Sequence, residues 1–95
     1  MKLKEVEPPE VLYHGTAEKP VSSISEQGLV PRSRLYVHLS KDTQTAVNVG
    51  SRHGKPVVFI VESGRMYEDG YKFFLPESSV WLTKTVSPES LRVAA

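Results

Sequence analysis

A six-residue stretch at 56–61, PVVFIV, is apolar throughout and constrains the fold more than any other segment. A run of this length, rich in β-branched residues, predicts a central strand that is buried on both faces. The chain has 95 residues, enough for one small domain with a single core. The other elements are therefore expected to assemble around this strand.

Shorter segments on both sides alternate between strand and helix patterns. Strands are predicted at 11–13, 35–39, 71–75 and 80–86, with a last edge at 91–93. Helical turns are predicted within 16–29 and 40–54, ending at Gly28 and Gly54, while 64–70 predicts a turn or a short helical piece. Ser40 is a plausible N-cap of the second helix. The order predicts an α+β domain of small mixed sheets with two short helices.

The first ten residues are polar and end in two prolines, Pro8 and Pro9, which suit neither a helix nor a strand interior. We interpret 1–10 as a linker or an extended arm and 11–95 as the domain. No apolar run approaches the length of a membrane span and no signal segment is present, so a cytoplasmic location without membrane partners is expected.

Composition narrows the chemistry further. The chain has no cysteine, which excludes disulfides, a thiolate nucleophile and a cysteine zinc site. Its three histidines lack the helical spacing of a metal pair, so no metal site is predicted. Twelve basic against eleven acidic residues leave a net charge of +1, which gives no general argument for nucleic acid.

Two histidines stand near the ends of short strands, in LYHGT (12–16) and YVHLS (36–40). After His14, Gly15 lets the backbone approach a ligand closely, and an imidazole hydrogen-bonds well to ribose hydroxyls. A histidine that merely anchors a loop is an equal alternative. Strand alternation puts His38 with Tyr36 on the face opposite the core, and Ser40 then begins a helix whose free amides favour an anion.

Basic residues follow the second helix in GSRHGK (50–55). His53 and Lys55 are explained by the helix dipole, whereas Arg52 would suit bidentate phosphate binding if it faces a ligand. Arg32 and Arg34 raise the positive charge before the second strand, or lie in a solvated loop. Trp81 is expected in the core, Asp69-Gly70 in a turn, and no nucleotide-binding glycine motif occurs.

Taken in order, LYHGT, GLVPRSRLYVHLS, VGSRHGKPVVFIV, DGYKFF and VWLT resemble the carboxy-terminal lobe of the NAD-dependent RNA 2′-phosphotransferases. The resemblance covers roughly 9–92. It implies an ADP-ribosyltransferase-type fold in which small sheets frame a cleft for NAD. It also implies that the 2′-phosphate of spliced RNA, such as tRNA, attacks NAD and releases nicotinamide. Transesterification then leaves a 2′-hydroxyl on the RNA and a cyclic phosphate of ADP-ribose.

The resemblance also implies roles for individual residues. His14, Gly15 and Thr16 correspond to the first family mark at the nicotinamide end of NAD. His38 and Ser40 correspond to the second mark near the ribose, and Val80 is similar to the apolar third mark. Arg52 matches the arginine that stabilises phosphate charge in transesterification. Arg32 and Arg34 are assigned contacts with the phosphates of NAD or RNA.

The chain departs from the family pattern in two places. The residues before VWLT are Pro76-Glu77-Ser78-Ser79 rather than a serine and an asparagine–glycine pair, and residues 1–10 do not replace the family's amino-terminal lobe. Full removal of the 2′-phosphate is therefore expected to be weak without that lobe. Two alternatives remain: a compact ADP-ribosyltransferase with another acceptor, and a non-catalytic module that binds NAD or ADP-ribose.

Overall fold

The computed structural model describes residues 4–31, 35–52, 54–76 and 80–94. These residues form six strands, three α-helices and one 3-10 helix. In chain order they are β1 (Leu12–Ala17), α1 (Val21–Gln27), β2 (Val37–Leu39), α2 (Thr43–Ser51), β3 (Pro56–Val61), α3 (Ser63–Glu68), β4 (Phe73–Phe74), β5 (Trp81–Thr83), the 3-10 helix (Pro88–Ser90) and β6 (Leu91–Val93).

The strands form two three-stranded sheets, ordered β1-β3-β6 and β2-β5-β4. Every pairing in them is antiparallel, so the prediction of mixed sheets is wrong, whereas the α+β class is confirmed. Each of the three α-helices leads from a strand of one sheet to a strand of the other. Parallel neighbours need a helical crossover that returns to the same sheet, and these helices do not provide one.

β3 lies between β1 and β6, which confirms the predicted central strand. The prediction that β3 is buried on both faces is wrong. Phe59 and Val61 are buried, but Val58 and Ile60 on the other face are only half-buried. Helix α2 packs against β1 and β3, and its nine residues are too few to cover the whole of that face.

The helices also differ from the prediction. Helix α1 ends at Gln27 with Gly28 as its C-cap, whose φ of 80° suits glycine, so the stop that the sequence indicated at Gly28 is confirmed. Helix α3 begins at Ser63 and covers the first part of the 64–70 segment, so the prediction of two helices was one too few. Helix α2 ends at Ser51, before Gly54, and Arg52 forms its C-cap.

The described part of the amino-terminal segment runs along the edge of the second sheet without forming a helix or a strand. Glu5 forms an isolated bridge with Phe74, and the Val6 N–H donates to the Phe73 carbonyl at 2.9 Å. Farther along, the Ser63 hydroxyl donates to the Pro9 carbonyl at 2.8 Å. Residues 5–9 thus contact β4 and the start of α3.

The core lies between the two sheets and is completed by α1 and α3. Trp81 belongs to it, as predicted, and Asp69-Gly70 form the predicted turn. The buried residues that form this core cluster are Leu12, Ile24, Leu29, Val37, Leu39, Phe59, Val61, Met66, Phe73, Trp81 and Val86. Within the described ranges, the helices are too short and too polar to cross a bilayer.

Candidate functional site

A pair of backbone hydrogen bonds joins the two sheets where the two histidine segments meet. The Tyr13 N–H donates to the Ser40 carbonyl at 2.8 Å, and the Ser40 N–H donates to the Tyr13 carbonyl at 2.7 Å. Both segments alternate along their strands, so this pairing sets His14 and His38 beside the same junction. The bridge therefore brings together two residues that are 24 positions apart in the chain.

One further hydrogen bond links the histidines directly. The His14 Nδ1 lies 3.1 Å from the backbone carbonyl oxygen of His38. A carbonyl only accepts hydrogen bonds, so Nδ1 must carry the proton. In the neutral ring the other nitrogen, Nε2, is then an acceptor with a free lone pair. This contact fixes both the tautomer and the orientation of the His14 ring.

The same surroundings favour the uncharged form of His14. Burial lowers the pKa of its imidazole below the ordinary value of 6.5. The bond to the His38 carbonyl raises this pKa, and the charge of the His38 ring lowers it, but burial is the largest effect. Near neutral pH, His14 is thus a neutral hydrogen-bonding group.

Two glycines bring helix α2 against β1. A Cβ on Gly15 would lie 1.7 Å from the Ala46 carbonyl oxygen, and one on Gly50 would lie 2.6 Å from the Thr16 carbonyl oxygen. Any larger side chain at either position would push the helix away from the strand. This close packing sets the carboxyl end of α2, and with it Arg52, beside the histidine strands.

These elements surround a cleft of about 820 Å³, which we call the histidine cleft. Its volume lies within the range of small-molecule sites. Of the predicted site residues, those that line it are His14, Gly15, Thr16, His38, Ser40, Arg52 and Val80. Arg32 and Arg34, predicted to contact phosphates, lie outside the described residues, as do His53 and residues 77–79 of the departing loop.

The N-terminal end of α2 differs from the prediction. Asp42, not Ser40, is the N-cap, and its carboxylate accepts a hydrogen bond from the Thr45 N–H at 2.7 Å. That bond lowers the pKa of the exposed Asp42 carboxyl. Because Ser40 uses its N–H in the bridge to Tyr13, and an anionic cap already occupies the helix end, the expected anion site at Ser40 is not formed by these amides.

Arg52 is exposed, and its side chain has no ion-pair partner in the part of the chain that the structure describes. It lines the cleft from the carboxyl end of α2, the helix that packs against β1. A guanidinium in this position supplies several donors to an anion in the cleft. Together, a neutral imidazole acceptor and an exposed guanidinium suit a ligand that has both hydroxyl and phosphate groups.

The structure adds cleft residues that the sequence did not single out as candidates. Tyr36 lines it beside His38, and strand alternation had already placed the two on one face. Ser23 and Gln27 line it from α1, and their spacing of four residues is the only sequence signal for that position. Thr45 and Val49 on α2 also line the cleft, and no sequence pattern indicated this. The packing of α2 against Gly15 positions them.

A second surface depression of about 890 Å³ has a different character, and we call it the acidic depression. It lies among the amino-terminal segment, α3, the 3-10 helix and β6. Five glutamates and two arginines line it, namely Glu7, Glu10, Glu62, Glu68, Glu89, Arg65 and Arg92. Arg92 and Glu62 form an ion pair at 3.3 Å. Among the described residues, no cluster of three side chains suited to hold a metal is found.

Comparison with known proteins identifies the family. Residues 1–85 match the model of the family described as RNA 2′-phosphotransferase, Tpt1 / KptA family. Proteins named "Probable RNA 2′-phosphotransferase" are similar to most of the chain. The one from Flavobacterium johnsoniae is 55% identical over 89 residues, which are 94% of this chain and 49% of the relative.

Two further relatives with the same name extend this pattern. The Nostoc punctiforme protein is 51% identical over 97% of this chain and 51% of its own length. The Rhodopirellula baltica protein is 50% identical over 96% of this chain and 50% of its own length. The chain thus spans about half the length of the curated relatives it matches. On this similarity, it belongs to the RNA 2′-phosphotransferase, Tpt1 / KptA family.

Proposed function

We propose that this chain forms the NAD-binding half of an RNA 2′-phosphotransferase with an ADP-ribosyltransferase-type fold. The observation that carries the proposal is the junction of the histidine segments, where the His14 imidazole is bonded to the His38 carbonyl beside Arg52. The proposed reaction transfers the 2′-phosphate of spliced RNA, such as tRNA, to NAD, with release of nicotinamide and a cyclic phosphate of ADP-ribose.

The groups in the histidine cleft suit the parts of NAD. The free lone pair on His14 Nε2 accepts a hydrogen bond from a ribose hydroxyl, which a phosphate oxygen could not offer. Gly15 has no side chain, but α2 fills the space where its Cβ would lie, so Gly15 contributes by letting α2 form a wall of the cleft rather than by exposing the backbone as the sequence suggested. Arg52 offers donors to phosphate oxygens. The cleft volume of about 820 Å³ also suits a ligand of this size.

In this proposal the chain contributes mainly position and fixed polar groups. Departure of nicotinamide creates positive charge on the ribose, so a neutral His14 avoids the repulsion that a charged ring would add. His38 and Ser40 orient the ribose, and Val80 closes the apolar side. Arg52 stabilises the phosphate charge in the second step. A strong general base is not needed in this scheme.

The experiment compares the 95-residue chain with a chimera in which this chain replaces the matching half of the Flavobacterium johnsoniae relative. Both are incubated with NAD and a 2′-phosphorylated RNA, and nicotinamide and dephosphorylated RNA are quantified. We expect turnover by the chimera and little by the chain alone. Efficient turnover by the chain alone would refute the proposed need for a second lobe.

Other outcomes would favour other functions. Binding of ADP-ribose without nicotinamide release by the chimera would indicate a non-catalytic module. Release of nicotinamide without dephosphorylation of RNA would indicate a different acceptor, and mass spectrometry of candidate acceptors would detect the added ADP-ribosyl group. Failure of both proteins to bind ADP-ribose would contradict the proposal as a whole.

A further inference from the structure

The second sheet carries a row of three side chains that the proposed function does not use. β5 is the middle strand of this sheet, between β2 and β4. One residue beyond the paired positions, the registers of these strands place Tyr36 and Lys72 on either side of Lys84. We call Tyr36, Lys84 and Lys72 the lysine row.

The lysine row lies on the face of the sheet that points away from the core. The alternation of side chains puts Lys72 and Lys84 on the face of Phe74, opposite the buried Phe73. Tyr36 shares this face, because its ring centroid lies 5.7 Å from that of Phe74. Both lysines are exposed, so their ammonium groups are accessible to a ligand.

The two lysines occupy opposed positions on β4 and β5 without a compensating negative charge. Neither forms an ion pair within the part of the chain that the structure describes. Like charges directly opposite each other destabilise an antiparallel pair. An anion bound between the two side chains would offset this repulsion, and a lysine ammonium binds phosphate as a compact point charge. The lysine row therefore suits a phosphate group.

The position of the row separates this phosphate from those of NAD. Lys72 and Lys84 do not line the histidine cleft, whereas Tyr36 at the end of the row does. From Tyr36 on β2 to Lys72 on β4 the row crosses two strand spacings, about 10 Å. In the proposed function both phosphates of NAD lie inside the cleft. A further phosphate at the lysines then belongs to a polymer that continues out of the cleft.

The neighbouring row on the same face has the opposite charge at its end. That row ends at Phe74, and the isolated bridge between Glu5 and Phe74 adds a carboxylate beside it. A phosphate would be repelled there and attracted by the lysines. The charges on this face therefore favour a path for a polyanion along the lysine row.

We propose that Lys72 and Lys84 together bind a backbone phosphate of the RNA acceptor, outside the cleft that holds the reacting groups. This inference rests on the proposed function and specifies how its RNA substrate is held. Both lysines are binding residues, and we assign them no part in the chemical steps.

The test is a set of NMR titrations of the isotopically labelled 95-residue chain. A 2′-phosphorylated RNA hexanucleotide can extend from the cleft to the lysines, whereas a nucleoside 2′-monophosphate cannot. We expect saturable amide shifts at 72 and 84 with the hexanucleotide, and none there with the monophosphate or with ADP-ribose. Shifts at 72 and 84 with ADP-ribose, or no such shifts with the hexanucleotide, would overturn the proposal.

Variants then measure the contribution of the two charges. In Lys72→Gln/Lys84→Gln, hexanucleotide affinity near 0.1 M salt should fall about fivefold, and the slope of log affinity against log salt should become shallower by about 0.7, as for one lost phosphate contact. Lys72→Arg/Lys84→Arg keeps the charges and should bind normally. Lys19→Gln removes an exposed lysine from the turn between β1 and α1, outside the cleft, and should have no effect.

Stability and ADP-ribose binding serve as controls for these variants. The lysines are exposed, so the melting temperature should not fall in either double variant. ADP-ribose affinity should also be the same in all of them. An equal loss of hexanucleotide and monophosphate binding in Lys72→Gln/Lys84→Gln would indicate a general charge effect and would overturn the proposed contact.

The outcomes separate this inference from the proposed function. If ADP-ribose binds, but Lys72→Gln/Lys84→Gln binds the hexanucleotide as tightly as the unchanged chain, the lysine proposal is wrong and the NAD proposal stands. If ADP-ribose does not bind, the proposed function itself fails, and the hexanucleotide titration still decides whether the lysines contact RNA.

Discussion

The histidine cleft and the acidic depression are similar in volume, about 820 and 890 Å³, but they differ in what their side chains offer a ligand. The cleft combines a neutral imidazole of fixed tautomer with an arginine that has no ion-pair partner among the described residues. In the depression, five glutamates surround two arginines, and one of these, Arg92, is already paired with Glu62. The cleft therefore offers a ligand both a neutral acceptor and a cation, whereas the depression offers mainly carboxylates.

The difference shows that volume alone does not mark a functional site in a small domain. The cleft exists because two sheets meet at the Tyr13–Ser40 bridge and because glycines let α2 lie against β1. The depression is formed by surface segments whose charged groups remain in solvent, where pairs contribute little. Substitutions in the two regions should therefore have unequal consequences for binding.

The largest effect is expected from Gly15→Val, which attacks the packing that forms the cleft. The new Cβ would lie 1.7 Å from the Ala46 carbonyl oxygen, so α2 must move away from β1. We expect a loss of at least about 3 kcal/mol of unfolding free energy. This corresponds to a melting temperature lower by about 12–24 °C in calorimetry. Gly70→Ala, with no heavy atom within 4 Å of its Cβ and a φ of 102°, controls for backbone strain alone.

A large effect on turnover, without one on stability, is expected from Arg52→Ala in the chimera. Loss of a guanidinium that donates to a developing phosphate charge should lower kcat by about 100-fold or more. The affinity for ADP-ribose should change much less, and isothermal titration calorimetry measures it separately. Arg65→Ala removes an arginine from the acidic depression and should leave both quantities unchanged. Equal losses in the two variants would indicate a general charge effect.

Smaller and unequal effects are expected from the histidines. His14→Ala removes the bond to the His38 carbonyl, whereas His38→Ala retains that carbonyl. Both should weaken ADP-ribose binding, by about tenfold for His14→Ala, and His14→Ala should also lower the melting temperature. A similar collapse of stability in both variants would show that the two residues are structural.

The smallest effect concerns pH. Burial lowers the pKa of folded His14 below 6.5, so the unfolded chain takes up the proton more readily. The stability contribution of a neutral His14 is therefore complete above pH 6.5 and is lost as pH falls through the lower, folded pKa. Relative to His14→Ala, the chain should lose unfolding free energy over this range in denaturant titrations. Parallel curves for the two proteins would contradict the lowered pKa.

Much of this architecture could be predicted where the sequence pattern is local. The apolar stretch at 56–61 gave the central strand, Gly28 gave the end of α1, and Trp81 gave a core position. Sheet direction was missed, because it depends on which sheet each helix leads to. Burial on both faces of β3 was overestimated for a similar reason, since a short helix covers one of them only partly.

For the candidate site as well, local sequence patterns were predictive, whereas contacts between distant parts of the chain were missed. Alternation placed His38 and Tyr36 on one face, and both line the cleft, but so do the buried Val37 and Leu39. The resemblance assigned His14, Arg52 and Val80 to one site, and all three line the cleft. The N-cap was misplaced by two residues, because Ser40 pairs with Tyr13, a contact distant in the chain. No local pattern indicates that the two sheets meet at this pair, nor that the His38 carbonyl fixes the His14 tautomer.

The most direct test of the central claim is amide-shift mapping of ADP-ribose on the isotopically labelled 95-residue chain. We expect saturable shifts concentrated at 14–16, 38–40 and 45–52, with none around the acidic depression. Shifts centred on that depression, or no saturable binding at all, would contradict the claim that the histidine junction forms a dinucleotide site.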